Sequence, residues 1–167
     1  MSSRENDEII MKMQGESLYN FAQELKNAIA LGTGRPVALD GNELAYTLTL
    51  DTADSFSLTV FGSDTDNADC FEAIITLDGC SDYFSCGKDS AEAFKAKLSE
   101  LVCALAGNTV TVSEILKSHS ERVFEYSIKD GEGWKTVLCE KKLGGFGAAL
   151  LIWKSKRTDR VFDLRYK

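Results

Sequence analysis

The sequence predicts an α+β fold, with antiparallel sheet packed against two main helices. Three observations carry that expectation. Two stretches place apolar residues at helical spacing, several shorter ones alternate apolar and polar residues with a period of two, and Asp, Ser, Gly and Asn clusters separate them. The alternating runs amount to about seven or eight strands.

The first helix is expected from Asp7 to Leu31. Leu18, Phe21, Ala22, Leu25, Ala28 and Ile29 fall on one face, and Asp7 and Glu8 suit the positive end of the helix dipole. Gly32-Thr33-Gly34-Arg35-Pro36 should stop it, because glycine permits a left-handed residue and proline cannot continue a helix. The period then becomes two. Leu44, Tyr46, Leu48 and Leu50 form one alternating set, Phe56, Leu58 and Val60 a second, and Phe71, Ala73, Ile75 and Leu77 a third. Each reads as a strand with one buried face, and a short further strand is expected near Tyr83 and Phe84.

A second helix is expected from Asp89, with Asp89 as its cap and Glu92 closing a capping box. Phe94, Leu98, Leu101, Val102 and Leu105 give its buried stripe, and Gly107-Asn108 its end. A helical turn is expected around Val112 to Lys117. Phe124, Tyr126 and Ile128 then alternate, Lys129 to Gly133 makes a hairpin turn, and Trp134 to Glu140 returns. Phe146 to Trp153 is apolar on both faces and reads as a central strand. Arg160 to Tyr166 completes the set, with Phe162, Leu164 and Tyr166 facing inward.

One domain over 1–167 is expected, since no linker or low-complexity stretch divides the 167 residues. The order helix-then-strands recurs, so 1–88 and 89–167 are candidate pseudo-repeat halves without residue-level identity. The first eight residues are polar and acidic, unlike a secretory leader, and the longest apolar run is too short to cross a bilayer. Five cysteines, an odd number, then read as reduced, structural thiols in a cytoplasmic protein.

Charge is distributed unevenly. From Met1 to Ala106 there are 18 Asp and Glu against 7 Lys and Arg, a net of −11. From Gly107 to Lys167 there are 8 acidic against 12 basic residues, a net of +4. The basic end is the sharpest candidate for recognition. Lys141 and Lys142 precede a glycine-rich turn, and Lys154, Lys156, Arg157 and Arg160 surround the last one, with Trp134, Trp153 and Tyr166 among them. Cations beside aromatic platforms suit single-stranded nucleic acid, but the same patch would meet an anionic protein surface or the acidic half of a second copy.

Other candidates lack their partners. His119, the one histidine, sits in a polar connection with no nucleophile signature beside it and reads as a solvated loop residue. The cysteines are not in close pairs of the kind zinc uses. An EF-hand loop starting at Asp64 would need glycine sixth and glutamate twelfth, where Asp69 and Ile75 stand. Gly144-Gly145-Phe146-Gly147 completes neither dinucleotide nor Walker pattern and reads as a turn or bulge.

The expectation is therefore a non-catalytic, acidic binding protein with a charge-polarised surface, needing neither cofactor nor metal. Its expected partner is another protein, met through Lys141, Lys142, Lys154, Lys156, Arg157 and Arg160. Nucleic-acid binding through the basic sheet is the first alternative and a small-molecule site between helix and sheet the second. No membrane is expected as a partner, and a second copy of the chain would suit the charge asymmetry.

Overall fold

The computed structural model describes residues 3–63, 70–116, 121–143 and 156–167. Helix α1 spans Ser3–Thr33. Its Leu18, Phe21, Ala22, Leu25 and Ile29 are buried, as the 3.6-residue spacing requires of a helix with one covered face. The helix closes where glycine allows it. Gly34 has φ 65° and donates its N–H to the Ala30 carbonyl, while the Thr33 hydroxyl donates to the Ile29 carbonyl at 2.7 Å.

Five strands follow as an antiparallel meander in the order β1-β2-β3-β4-β5: β1 Ala38–Asn42, β2 Ala45–Leu50, β3 Phe56–Gly62, β4 Phe71–Leu77 and β5 Cys80–Ser85. The pairing is set by the apolar alternation. Leu48 opposes Leu58, which opposes Ile75, so the buried sets of three strands share one face. Leu44 does not join that set. It lies in the turn between β1 and β2, 74 % exposed, because β1, which the periodicity did not suggest, consumes the residues before it. The opposite face carries cross-strand hydroxyl pairs, with Thr47 bonded to Thr59 and Thr76 to Ser81 at 2.9 Å.

Helix α2 spans Ala91–Leu105, and its cap is Ser90 rather than Asp89. The Ser90 hydroxyl accepts the Ala93 N–H at 3.1 Å, so Glu92 falls in the first turn and not at the third helical position. Phe94, Leu98, Leu101, Val102 and Leu105 are buried as predicted. The two helices lie together across the apolar face of the first sheet. Phe21 stacks between Phe71 of β4 and Phe94 of α2, at centroid distances of 4.2 and 6.2 Å. A β-carbon on Gly32 would stand 2.5 Å from the Cys103 sulfur, so glycine is what lets α1 approach α2 there.

The second half forms its own antiparallel sheet. Strands β6 Thr109–Leu116, β7 Glu121–Asp130, β8 Gly133–Leu143 and β9 Lys156–Asp163 take the order β8-β7-β6-β9. The fold is thus α+β, with two helices and two antiparallel sheets of five and four described strands, more than the expected seven or eight. The helical turn expected from Val112 is instead part of β6. Val110 and Val112 point inward with a period of two, opposite Ile128 and Tyr126. A register shift between Tyr126 and Ser127 bends β7 against β8, and Gly131 takes φ 61° in their turn.

The sheets meet on the same face that the helices cover. Val110, Tyr126, Phe162 and Leu164 belong to one buried cluster with Leu58, Phe84, Leu25 and Leu98. The Tyr126 hydroxyl donates to Asp82 on β5 at 2.7 Å, and Lys97 of α2 pairs with Glu140 of β8. The last residues tie back to the β2–β3 connection: Thr52 bridges Tyr166, and the Ala53 and Asp54 amides donate to the Arg165 and Asp163 carbonyls.

The five cysteines are not all free. Cys70 and Cys86 form a disulfide with their Cα atoms 6.1 Å apart, leaving Cys80, Cys103 and Cys139 as thiols. The Cys86 amide donates to the Phe71 carbonyl, so hairpin pairing of β4 with β5 brings the two residues together. The reduced-thiol argument for a cytoplasmic protein therefore does not carry. No described helix is long and apolar enough to cross a membrane. The Phe146–Trp153 strand, the Asp64–Asp69 loop, His119, Trp153, Lys154 and the Gly144–Gly147 turn lie outside the described residues.

Candidate functional site

The basic residues named from sequence are divided between the two edges of the second sheet. Lys141 and Lys142 are on β8, whereas Lys156, Arg157 and Arg160 are on β9. Register places Lys141, Val123, Ile115 and Arg157 in one row across the sheet. Three strand spacings of about 4.8 Å put the ends of that row about 14 Å apart. The row ends are cationic and its middle is apolar.

Several of these cations already have carboxylates. Lys141 is 3.2 Å from Glu121. Arg157 meets Asp159 at 2.8 Å and Glu125 at 3.4 Å, and its Nη2 donates to the Ser113 hydroxyl at 2.9 Å. The Asp159 bond raises the Arg157 pKa, and hydrogen bonds from Ser113 and then Arg157 lower that of Asp159. Arg165 and Lys167 face Asp163 and Asp51 in the same way. Tyr166 carries the Arg35 guanidinium 4.6 Å from its ring centroid, and Trp134, half exposed, stands on β8 at the opposite edge from β9. Lys154 lies outside the described residues.

Strand alternation gives β9 two different faces. Arg157, Asp159 and Val161 point away from the first sheet. Thr158, Arg160 and Phe162 point toward it, in rows with Glu114 and Phe124, with Val112 and Tyr126, and with Val110 and Ile128. Between those rows and the β4–β5 hairpin lies a cleft of about 200 Å3. Ile75, Leu77, Val112, Phe124 and Phe162 form its apolar floor, while Cys80, Ser81, Asp82, Glu114, Arg122, Thr158 and Arg160 supply polar groups.

The charges in the cleft are unequally matched. Arg122 lies 3.6 Å from Glu114, a diagonal pair two residues out of register across β6 and β7. Asp82 accepts the Tyr126 hydroxyl, and burial of Tyr126, with the Asp82 charge adding to it, pushes that phenol far above its ordinary value. Arg160 contacts the Cys80 sulfur and meets no carboxylate among the described residues. Sequence reading found Arg160 as a cation but missed Arg122, Asp82, Glu114 and Cys80. Glu114 falls where a helical turn is expected, Arg122 and Cys80 fall outside the alternating sets and Asp82 beside the short strand expected near Tyr83, and only the meeting of two sheets gathers them.

Among the described residues, no three His, Cys, Asp or Glu side chains are grouped to hold a metal ion. Burial pushes the Cys103 thiol up, which disfavours its thiolate form. The arrangement suits binding: an apolar floor, a cation that meets no carboxylate among the described residues, and a strand at the edge of the described sheet. No known protein family, characterised protein or solved structure matches this chain.

Proposed function

We propose that this chain is a non-catalytic binding protein that recognises another protein along β9 and the mouth of the adjoining cleft. The observation that carries the proposal is the exposure of β9. Lys156 to Val161 are exposed without interruption, and Val161, apolar, is 61 % exposed between the charged positions. A strand with charged and apolar groups at the edge of the described sheet offers backbone pairing and side-chain contacts to a partner chain. The charge asymmetry of the whole chain would steer encounter with an acidic surface.

Protein is favoured over nucleic acid because of the carboxylates. A polyanion approaching β9 meets Asp159, Glu125 and Asp163 beside every paired arginine, and the phosphates would have to displace them. The test is K156E/R160E with capture of partners at low and high salt, with and without nuclease. The double reversal should abolish capture of an identified protein at low salt while leaving the melting temperature within about 2 °C of wild type, as surface changes do. Capture that disappears with nuclease would replace the protein reading by the nucleic-acid one. Capture that is indifferent to both treatments would remove β9 from recognition. The small-molecule reading is favoured by the cleft itself, whose size and charge define what it could hold.

A further inference from the structure

We propose that the cleft between the two sheets is a binding site for a small organic carboxylate, one with a short aromatic or branched apolar body. The carboxylate sits on Arg160 and the body lies on Ile75, Leu77, Val112, Phe124 and Phe162. The inference is independent of whether a macromolecule docks on β9.

Size limits the ligand first. A cleft of about 200 Å3 holds the liquid-volume share of about seven waters. Ligands that need about 300–1,000 Å3 would project beyond its mouth. One ring or one branched chain with a carboxylate fits. The floor sets the second requirement, since its five named side chains are all apolar and belong to or pack against the buried cluster. A wholly polar guest would leave that surface uncovered, and covering it is favourable at about 25 cal/mol per Å2.

Charge sets the third. Of the two guanidinium groups in the cleft, Arg122 is answered by Glu114, and Asp82 is held by the Tyr126 hydroxyl. Arg160 is left facing a thiol, a weak acceptor, among the described residues. A guanidinium presents parallel N–H groups that match a carboxylate, and charge-assisted bonds of that kind exceed neutral ones in strength. Glu114 and Asp82 work in the other direction: they disfavour a second negative charge, so a monoanion is preferred over a dianion. Thr158 at the rim can donate to the carboxylate oxygen that Arg160 does not reach.

Two sources could supply such a group: a free metabolite-sized acid, or an acidic side chain beside an apolar one in a peptide. The test uses the full chain, 15N-labelled, with phenylacetate and its neutral isostere phenylacetamide as probes. Phenylacetate should shift amide signals of Leu77–Asp82, Val112–Glu114 and Thr158–Phe162, with millimolar affinity. Phenylacetamide should bind about tenfold more weakly, as should phenylacetate to R160Q, whereas K129Q, at the exposed end of β7, should bind like wild type. The acid–amide comparison is made on the wild-type protein, so it stands even where R160Q fails to fold.

A second arm compares N-acetyl-Phe-Glu-amide with N-acetyl-Phe-Gln-amide. Tighter binding of the Glu peptide than of phenylacetate assigns the carboxylate to a partner chain, and the reverse assigns it to a small molecule. Equal binding of acid and amide, shifts confined to other parts of the chain, or no shift at tens of millimolar probe would overturn the inference. Those results would leave capture of a protein by β9 unaffected, so the two readings fail separately.

Discussion

Asp163 gathers bonds from its own neighbourhood. The Arg165 amide and both the Nε and Nη2 of its guanidinium donate to the Asp163 carboxylate, and the Asp163 amide donates to Asp54. The Arg165 side chain is the main reason that this carboxyl falls from an ordinary 3.8 to about 2. Its folded pKa is depressed, so the unfolded chain takes up the proton first as pH falls. The contribution is complete above about pH 4 and is lost as pH drops through about 2. D163N should therefore flatten the pH dependence of stability between those limits, as read by urea melts at several pH values. The effect should be small, because the pair is exposed and screened. Much at this scale was legible: Phe162 and Leu164 are buried as the alternation required. The direction of Arg160 was not. A period of two tells which residues share a face, but only the second sheet decides which face looks into a cleft.

At the scale of elements, strong periodicity translated directly. Helix α1, strands β3 and β4 and helix α2 each bury the face predicted for them, because each lies against the centre of the core. Strand β1 escaped notice because it is an edge strand with little buried surface, its residues exposed but for a half-covered Leu39. Strand β6 misled because Val112, Ile115 and Leu116 also have helical spacing, and pairing on both sides overrides so short a local preference. The disulfide was equally hidden. Cys70 and Cys86 are 16 positions apart, and only the β4–β5 register brings them face to face. Titration of the unfolded, unreduced protein should find three thiols, and five after reduction. Closing a loop of that length stabilises by about 3 kcal/mol in the chain-entropy account, so reduction should lower the urea midpoint. Five thiols before reduction would contradict the pairing.

For the whole molecule, the helices and both sheets draw on one buried cluster. Residues 1–107 expressed alone would expose Leu77 and Phe84 where Phe162 and Tyr126 now lie close, and 108–167 would lack both described helices. Both fragments should be poorly folded, with broad melts by circular dichroism; two independent sharp transitions would overturn the expectation of one domain. The two halves also differ in plan. The first sheet is a plain meander, whereas β9 returns to pair with β6 and leaves β8 at the far edge. The sequence showed helix followed by strands twice over, but strand order depends on long-range pairing that local patterns do not encode.

The bridge between Thr52 and Tyr166 has a kinetic side. Closing a chain segment of roughly a hundred residues costs about 3 kcal/mol more in loop entropy than closing a tight hairpin. The hairpins of the first sheet can form from neighbours, but this clasp has to wait until both sheets are nearly placed. Contacts made after the folding barrier leave the folding rate alone and slow escape from the native state. The clasp at Thr52 would then act as a latch on lifetime, setting how long the assembled sheets stay together more than how quickly they meet.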